Sequence, residues 1–231
     1  MDGLKFTTFD EFVNTVRRIG FLPGGFPWSE NGALSVHSLA DPGVMWHSGI
    51  PDLDPWMWRI RVLTDCEDIA YGKVFGGKSG YITREWYPTF IAARRRADTL
   101  DEAWEDGKIS RTSKLVYDAL RDVPALSTFD LKAAAGLNRE KKSVYERALT
   151  DLQMSLYITY CGEAQKISRA GEPYGWPGAV FCTVENFFPG VEEEAAEIDP
   201  DEAAERIAER VWDILPWVDD KEIKALIHAA K

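Results

Sequence analysis

The chain has 231 residues, an apolar content of 45% and a formal net charge of −11 at pH 7. This length allows one large domain or two small ones, each with its own core. No apolar run approaches the roughly 18 residues of a membrane-spanning helix, and the chain begins without a basic-then-apolar leader. Cys66, Cys161 and Cys182 are scattered, which argues against a zinc site or a disulfide framework. We therefore expect a reduced, cytoplasmic protein that uses no metal and no cofactor.

The negative charge is concentrated towards the C-terminus. From Glu185 onward 14 residues are acidic and 5 are basic, whereas the preceding part of the chain is close to neutral. Negative charge opposes phosphate binding, which relies on Lys and Arg. Because the excess lies mostly in the tail, the rest of the chain can still bind nucleic acid in a salt-dependent way. The acidic tail also offers a surface for a protein partner.

Caps and hydrophobic spacing predict the first elements. Thr8 and Glu11 form a capping-box pair ahead of an amphipathic helix, which Gly20 ends. Residues 21–45 are rich in Gly, Pro and Ser and predict a long surface loop. Apolar residues alternate over Trp58–Leu63, which predicts a strand.

Residues Gly72–Ser79 match the pattern G-x-x-x-x-G-K-[ST] of nucleotide-binding P-loops. In a P-loop a helix begins at the Lys-Ser pair, so that backbone amides surround phosphates. Here Gly80 follows directly, and Val74 and Phe75 fit a strand over Ile69–Phe75. We therefore favour a glycine-rich hairpin with two lysines, and an NTPase is the alternative.

Residues 111–184 show the order of elements of a winged helix-turn-helix. A helix over Lys114–Arg121 precedes a short helix capped by Ser127 or Thr128, and Asn138 then caps a third helix.

A hairpin follows these helices. Ser155–Tyr160 predicts a strand, Cys161–Gln165 a turn and Lys166–Ser168 the return strand. In proteins with this order of elements, one helix lies in a DNA groove and the hairpin contacts the DNA backbone. Double-stranded DNA is therefore the leading partner.

Basic side chains near these elements are candidate phosphate contacts. The candidate nucleic-acid-binding residues are Lys73, Lys78, Arg94, Arg95, Arg96, Arg139, Lys141, Lys142, Arg147 and Lys166. Several alternatives remain open. The third helix can be a solvated face with Glu140 and Glu146 interleaved, the Arg94–Arg96 run can complement a helix dipole, and winged helices also dock proteins.

The segment from residue 46 to residue 59 has the highest density of side chains that can act in catalysis or ligand binding. Asp52 and Asp54 point the same way if the segment is extended, and paired carboxylates can activate a water for hydrolysis of a base–sugar bond. We take these two as candidate catalytic residues. The candidate pocket residues are His47, Trp56, Trp58 and Arg59. In the alternative, Asp-Pro opens a turn and the tryptophans pack in a core.

Near the end, Asp199 caps a helix with Pro200 at its first position, and the acidic stretch Glu192–Glu202 predicts a linker. We expect an α+β, helix-dominated fold with winged helix-turn-helix elements and small β-hairpins. The predicted division has three parts: an N-terminal α+β region over 1–108 that carries the pocket, a winged-helix domain over 109–190 and an acidic helical tail over 191–231.

Four segments carry a family resemblance: Asp54–Arg59, Ala70–Pro88, Val144–Leu152 and Val180–Pro189. Together they resemble the AlkZ/YcaQ type of winged-helix DNA glycosylase, and in particular its shorter AlkZ-related members. The resemblance covers roughly residues 5–190. It implies winged-helix-like elements around a DNA-binding concavity, and metal-free excision of alkylated or crosslinked bases.

One departure from the family pattern concerns catalysis. Family enzymes carry a Gln-apolar-Gln or Gln-apolar-Asp motif, and the nearest counterpart by position here is Asp52-Leu53-Asp54. Two carboxylates beside DNA phosphates repel them unless one is protonated or paired with Arg59. The resemblance therefore implies a DNA-binding, glycosylase-like protein, and the alternative is a non-catalytic winged-helix module for transcription or protein docking.

Overall fold

The computed structural model describes residues 3–24, 34–96 and 98–228, which form helices packed around one antiparallel sheet. The helices in these ranges are α1 (Phe9–Ile19), α2 (Val36–Leu39), α3 (Pro55–Asp65), α4 (Tyr87–Arg95), α5 (Leu100–Glu105), α6 (Arg111–Arg121), α7 (Thr128–Ala134), α8 (Lys142–Met154), α9 (Val184–Phe187), α10 (Val191–Ala196), α11 (Pro200–Ile214) and α12 (Asp220–His228). The strands are β1 (Phe21–Pro23), β2 (Ile69–Phe75), β3 (Lys78–Thr83), β4 (Leu126–Ser127), β5 (Ile158–Ile167) and β6 (Pro173–Thr183). The predicted α+β, helix-dominated fold class is confirmed.

The sheet consists of two hairpins joined at one place. Within the described ranges its strand order is β1-β3-β2-β5-β6-β4, with antiparallel neighbours throughout. The β2–β3 hairpin meets the β5–β6 hairpin at the register pair Tyr71 and Tyr160. Their rings pack edge to face with centroids 5.7 Å apart. This junction becomes the middle of the candidate site.

The larger hydrophobic core combines N-terminal and C-terminal elements. Phe12 of α1 stacks on the fully buried Trp58 of α3, with ring centroids 5.1 Å apart. Ile207 and Val211 of α11 and Ile223 of α12 are buried in the same core. The C-terminal helices therefore complete the hydrophobic core that the N-terminal elements begin, because α4 packs against α10, α11 and α12.

The second core lies beneath the β5–β6 hairpin. It contains apolar side chains from α6, α7, α8 and both strands of the hairpin, among them Val116, Leu131, Leu152, Ile158 and Phe181. Along the chain these elements follow as helix, short strand, short helix, long helix and long hairpin. The strand β4 closes the unit by pairing with β6.

Several local predictions are confirmed because their signals are short-range. Thr8 and Glu11 form the predicted capping box, and Gly20 ends α1 in a left-handed conformation. The sequence that matches a P-loop is the β2–β3 hairpin, since Lys78 begins a strand and no helix starts there. Gly76 and Gly77 both have positive φ in the turn, which glycine adopts without steric cost.

The strand predicted over Trp58–Leu63 is wrong, because these residues belong to helix α3. Asp54 caps the helix by accepting from the backbone of Trp56, and Pro55 occupies the first position. The helix buries Trp58 and Val62, which are one turn apart. A short apolar alternation fits a strand and one face of a helix equally well. Here the Asp-Pro pair, which starts a helix, favours the helix over the strand.

Two boundaries in the second half of the chain also differ from the prediction. Asn138 lies in a turn, and α8 begins later, at Lys142. The predicted turn over Cys161–Gln165 and the return strand over Lys166–Ser168 are wrong, because β5 runs on to Ile167 and β6 returns from Pro173. The hairpin extends beyond the core, where strand residues are exposed and the sequence loses its apolar alternation.

Two segments expected to be irregular are partly ordered. Of the predicted loop over residues 21–45, Phe21–Pro23 pairs with β3 and Val36–Leu39 is helical, while residues 25–33 lie outside the described residues. The predicted linker over Glu192–Glu202 is wrong, since it forms α10 and the start of α11. The division of the chain at residues 108 and 190 stays a prediction.

Candidate nucleic-acid interface

Three neighbouring cavities cross the junction between the two hairpins, and each shares wall residues with the next. We call them the aromatic cavity, the middle cavity and the hairpin cavity, with volumes of about 630, 400 and 760 Å³. The first two share Arg59, Tyr71 and Ser79. The last two share Thr128, Glu146 and Pro177. Together the three cavities form what we call the groove.

The aromatic cavity has two pairs of neighbouring rings in its wall. The ring of His37 stacks on Trp46 with centroids 5.7 Å apart, and the ring of His47 lies beside Trp56 at 5.4 Å. Trp56 is 54% exposed, although it is a large apolar side chain. Exposed flat rings around a cavity suit a planar ligand, because aromatic faces gain from stacking. His47 and Trp56, two of the predicted pocket residues, therefore line this cavity.

Asp54 holds this wall in place. Its carboxylate accepts hydrogen bonds from the backbone amides of His47 at 3.0 Å, Gly49 at 2.9 Å and Trp56 at 2.9 Å. Burial alone would raise the pKa of Asp54, but the donors at Gly49, Trp56 and His47 together lower it. Asp54 therefore fixes the backbone on which two of the cavity's rings stand.

Asp52 has a different environment from Asp54. Its side chain is 72% exposed and pairs with Arg61 at 2.5 Å between Oδ1 and Nη1. The two carboxylates share no hydrogen-bond partner among the described residues. The paired orientation was expected for an extended segment, whereas the chain turns and enters α3 at Asp54. Neither residue lines the groove.

The other two predicted pocket residues, Trp58 and Arg59, separate at the start of α3. Trp58 is fully buried against Phe12, and its Nε1 donates to the carbonyl of Pro51 at 2.9 Å, so it does not line the cavity. Arg59 does line it, and its guanidinium lies 4.4 Å from the ring of Trp56. Arginine often stacks on tryptophan in this way.

The middle of the groove contains a cluster that the sequence analysis missed. Nη1 of Arg59 lies 3.2 Å from Oε1 of Glu163, and the same oxygen accepts from the hydroxyl of Tyr160 at 3.0 Å. Burial raises the pKa of Tyr160, so its phenol remains a donor at neutral pH. The cluster connects helix α3 with strand β5.

A bulge in β5 makes the contact between Tyr160 and Glu163 possible. Residues three apart on a regular strand point to opposite faces. The register pairs Tyr160 with Phe181 and then Gly162 with Val180, so Cys161 is an extra residue. This shift returns Glu163 to the side of Tyr160. Gly162, beside the extra residue, is the kind of signal that marks a bulge inside a strand, but Cys161–Gln165 was predicted as a turn, so the cluster was not predicted.

Several predicted cations line the groove. Lys78 lies on the aromatic cavity, Lys73 on the middle cavity, and Lys142 and Lys166 on the hairpin cavity. All four are exposed. Lys142 has a side chain that is 85% exposed and a long 3.5 Å contact to Glu146 one turn away, which leaves it available to an anion.

Arg139, Lys141 and Arg147 are also exposed but lie outside the cavity walls, before and along the start of α8. Arg147 contacts Asp151 at 3.7 Å within the same helix. None of these three contacts the C-terminal helices through a described ion pair. Together with Lys142 they form an exposed cationic surface around the start of α8.

The Arg94–Arg96 run is engaged within the protein. Arg94 donates to the backbone carbonyls of Met154, Leu226 and Ile227. Arg95 is buried and pairs with Glu192 at 2.6 Å, and Arg96 pairs with Asp201 at 2.9 Å. The contacts of Arg94 and Arg95 occupy the donors that phosphate binding would need, so we leave these two out of the interface. The side chain of Arg96 is exposed, and its role as a phosphate contact stays a prediction.

The described ranges contain no group of three or more His, Cys, Asp or Glu side chains that could hold a metal ion. Among the helices in those ranges, none combines the length and the apolar character needed to cross a membrane.

The fold and the groove define an α+β protein with a cleft that is lined by aromatic and basic side chains. The family model described as AlkZ related matches residues 6–228. The chain belongs to the AlkZ-related family. The family resemblance read from the sequence is therefore confirmed, and the protein is a relative of glycosylase-like DNA-repair proteins. No curated protein and no solved structure was found to match the chain.

Proposed function

We propose that the protein binds double-stranded DNA along the groove and acts there as a DNA-repair glycosylase on alkylated or crosslinked bases. The observation that carries the proposal is the groove itself. Stacked rings, the Arg59–Glu163 pair and exposed lysines line neighbouring cavities in a chain of the AlkZ-related family. Cations hold phosphates and aromatic faces accept bases, so the two kinds of side chain serve different parts of one DNA ligand.

The order of α6, α7, α8 and the β5–β6 hairpin supports a winged-helix role for this unit. In winged helices the third helix enters a groove of the duplex and the hairpin contacts the backbone. Lys142 opens α8, and Lys166 lies on the hairpin facing the same cavity. Trp176, on the returning strand, is 92% exposed and lines that cavity as well.

The distribution of charge is compatible with this role. The C-terminal helices α10 to α12 pack against α4, and no described residue after Phe181 lines the groove. The excess negative charge of the tail is therefore segregated from the cavities, and its effect at the groove is screened over about 10 Å at moderate salt. We expect duplex binding to be moderate and strongly dependent on salt.

The alternative is a non-catalytic DNA-binding module, and one observation favours it. The carboxylates predicted to activate a water are occupied, since Asp54 caps α3 and Asp52 pairs with Arg61. Chemistry in the groove must then come from other residues.

The test uses a labelled duplex with a single N7-methylguanine and an unmodified duplex of the same sequence. The proposal predicts binding of both and release of the methylated base, detected as alkali-sensitive abasic sites. A Lys142→Ala/Lys166→Ala variant should lose binding, and a Lys221→Ala/Lys224→Ala variant on α12 should retain it. Binding without base release by the native protein would favour the non-catalytic module. If the Lys142→Ala/Lys166→Ala variant kept both duplex binding and base release, the proposed interface would be contradicted.

A further inference from the structure

We infer that Glu163 is the carboxylate that takes the proton from the water attacking the base–sugar bond. This inference rests on the proposed glycosylase function and assigns its chemistry to a residue on the β-hairpin. Glu163 lines the middle cavity, and its side chain is 26% exposed. It therefore combines a fixed position with access to a ligand.

The two oxygens of Glu163 have different roles. Oε1 receives both the Arg59 guanidinium at 3.2 Å and the Tyr160 hydroxyl at 3.0 Å. Oε2 accepts from no other group in the described part of the chain. One oxygen is thus anchored while the other keeps its lone pairs for a ligand in the cavity that Glu163 lines, as a positioned base requires.

Other acidic residues fit this role less well. Glu146 is the other carboxylate that lines the groove within the described ranges, but its side chain is 57% exposed and its one described ion pair is the 3.5 Å contact with the exposed Lys142. The two carboxylate oxygens of Asp54 already accept hydrogen bonds from three backbone amides. Among these groups Glu163 alone is held by two side chains and faces the groove.

Arg59 and Tyr160 make a carboxylate tolerable beside DNA. An unpaired carboxylate would repel the phosphates, whereas the Arg59 charge compensates it at contact distance. Burial raises the pKa of Tyr160, so the phenol keeps its proton and donates it to Oε1 as a hydrogen bond. Both partners are positioning residues, because they act through Glu163.

The proposed step balances without an oxidant or a metal. The water oxygen forms a bond to C1′ of the sugar as the bond from C1′ to the base nitrogen breaks. The electron pair of the broken bond stays on that nitrogen, so a cationic N-alkylated base leaves as a neutral molecule. Oε2 of Glu163 takes the proton of the water and later passes it to solvent.

The experiment compares single-turnover base release from the N7-methylguanine duplex at saturating protein with the Kd for the same duplex. We expect Glu163→Gln to slow release roughly 100-fold or more, while its Kd stays the same or falls. Glu172→Gln, the same change at an exposed position of the same hairpin, should release the base at the native rate. In Glu163→Ala, added formate should restore release in proportion to its concentration, because it supplies the missing carboxylate.

Each outcome decides between the claims. Native base release by Glu163→Gln would overturn the inference and leave the glycosylase function standing. Slow release by Glu163→Ala that formate does not restore would assign Glu163 a structural role and also overturn it. A native protein that binds the duplex but releases no base would overturn the glycosylase function, and this result is visible in the native arm alone.

Discussion

Arg59 and Glu163 form an ion pair of 3.2 Å although 104 residues separate them in the chain. Arg59 lies on α3, next to the first core, and Glu163 lies on the hairpin above the second. The pair therefore connects the two halves of the molecule at the place where the sheet itself is joined by Tyr71 and Tyr160. The same contact fixes the middle of the groove.

This pair should contribute modestly to stability. Both side chains are about a quarter exposed, so we expect a coupling free energy of about 0.5–1 kcal/mol. A double-mutant cycle with Arg59→Met and Glu163→Gln, followed by urea unfolding, measures it. The Lys142–Glu146 pair is a matched comparison on the surface and should show almost no coupling. A coupling near zero at Arg59–Glu163 would mean that the pair does not connect the two halves.

Asp54→Ala should destabilise the protein by about 2–3 kcal/mol, because it removes the cap of α3 and leaves three amides without their acceptor. Urea unfolding measures the loss, and tryptophan fluorescence reports the wall around Trp56. Asp52→Ala is the control, since its exposed carboxylate pairs only with Arg61 and should change stability by about 0.5 kcal/mol or less. Equal effects of the two variants would contradict the assigned roles.

The pH dependence of stability should include a contribution from Asp54. Its pKa is lower in the folded protein than its ordinary value, so folding favours the ionised form. The stabilisation is fully present above the unfolded pKa of about 3.9 and is lost as the pH falls through the folded pKa. Below about pH 4 the native protein should therefore lose stability more steeply than Asp54→Asn. Parallel curves for the two proteins would contradict this.

Arg95 should be essential for attaching the C-terminal helices. It is buried, pairs with Glu192 of α10, and donates to the carbonyls of Ser155 and Leu156. Arg95→Met should cost about 3 kcal/mol, because Glu192 and two carbonyls lose their donor. In the matched variant Arg96→Met an exposed pair is lost and thermal unfolding should not change measurably. A small effect of Arg95→Met would return this residue to the list of candidate phosphate contacts.

Salt should separate the groove lysines from other lysines. If Lys142 and Lys166 each neutralise one phosphate, removing both should lower the slope of log K against log salt by roughly 1.8. Fluorescence anisotropy with a labelled duplex over a salt series measures the slope. Lys221→Ala/Lys224→Ala removes the same charge from α12 and should leave the slope as it is. Identical slopes in all three proteins would show that the groove lysines make no phosphate contacts.

Much of the fold could be predicted because its signals are local. The capping box at Thr8, the cap at Asp199 and the hairpin at Gly76 all depend on neighbouring residues. The helix α3 was missed because a short apolar alternation outweighed the Asp-Pro signal at Asp54. Local sequence signals therefore predict which helices and strands form better than they predict where these elements end.

The candidate site was harder to predict because it depends on contacts between distant residues. His47, Trp56 and Arg59 are close together in sequence and line the groove, while their role in binding stays a prediction. Glu163 was missed because its contact with Tyr160 requires a bulge, and its contact with Arg59 requires the two halves of the sheet to meet. The contact between the two halves leaves no pattern in the sequence, and the bulge leaves only Gly162.

The central claim is that duplex DNA lies in the groove, and hydrogen exchange of the protein with and without a duplex tests it most directly. We predict slower exchange on binding in the β2–β3 turn, at the start of α8 and along the β5–β6 hairpin, with unchanged exchange in α11 and α12. Protection confined to α11 and α12, or no protection in the groove at saturating duplex, would contradict the claim.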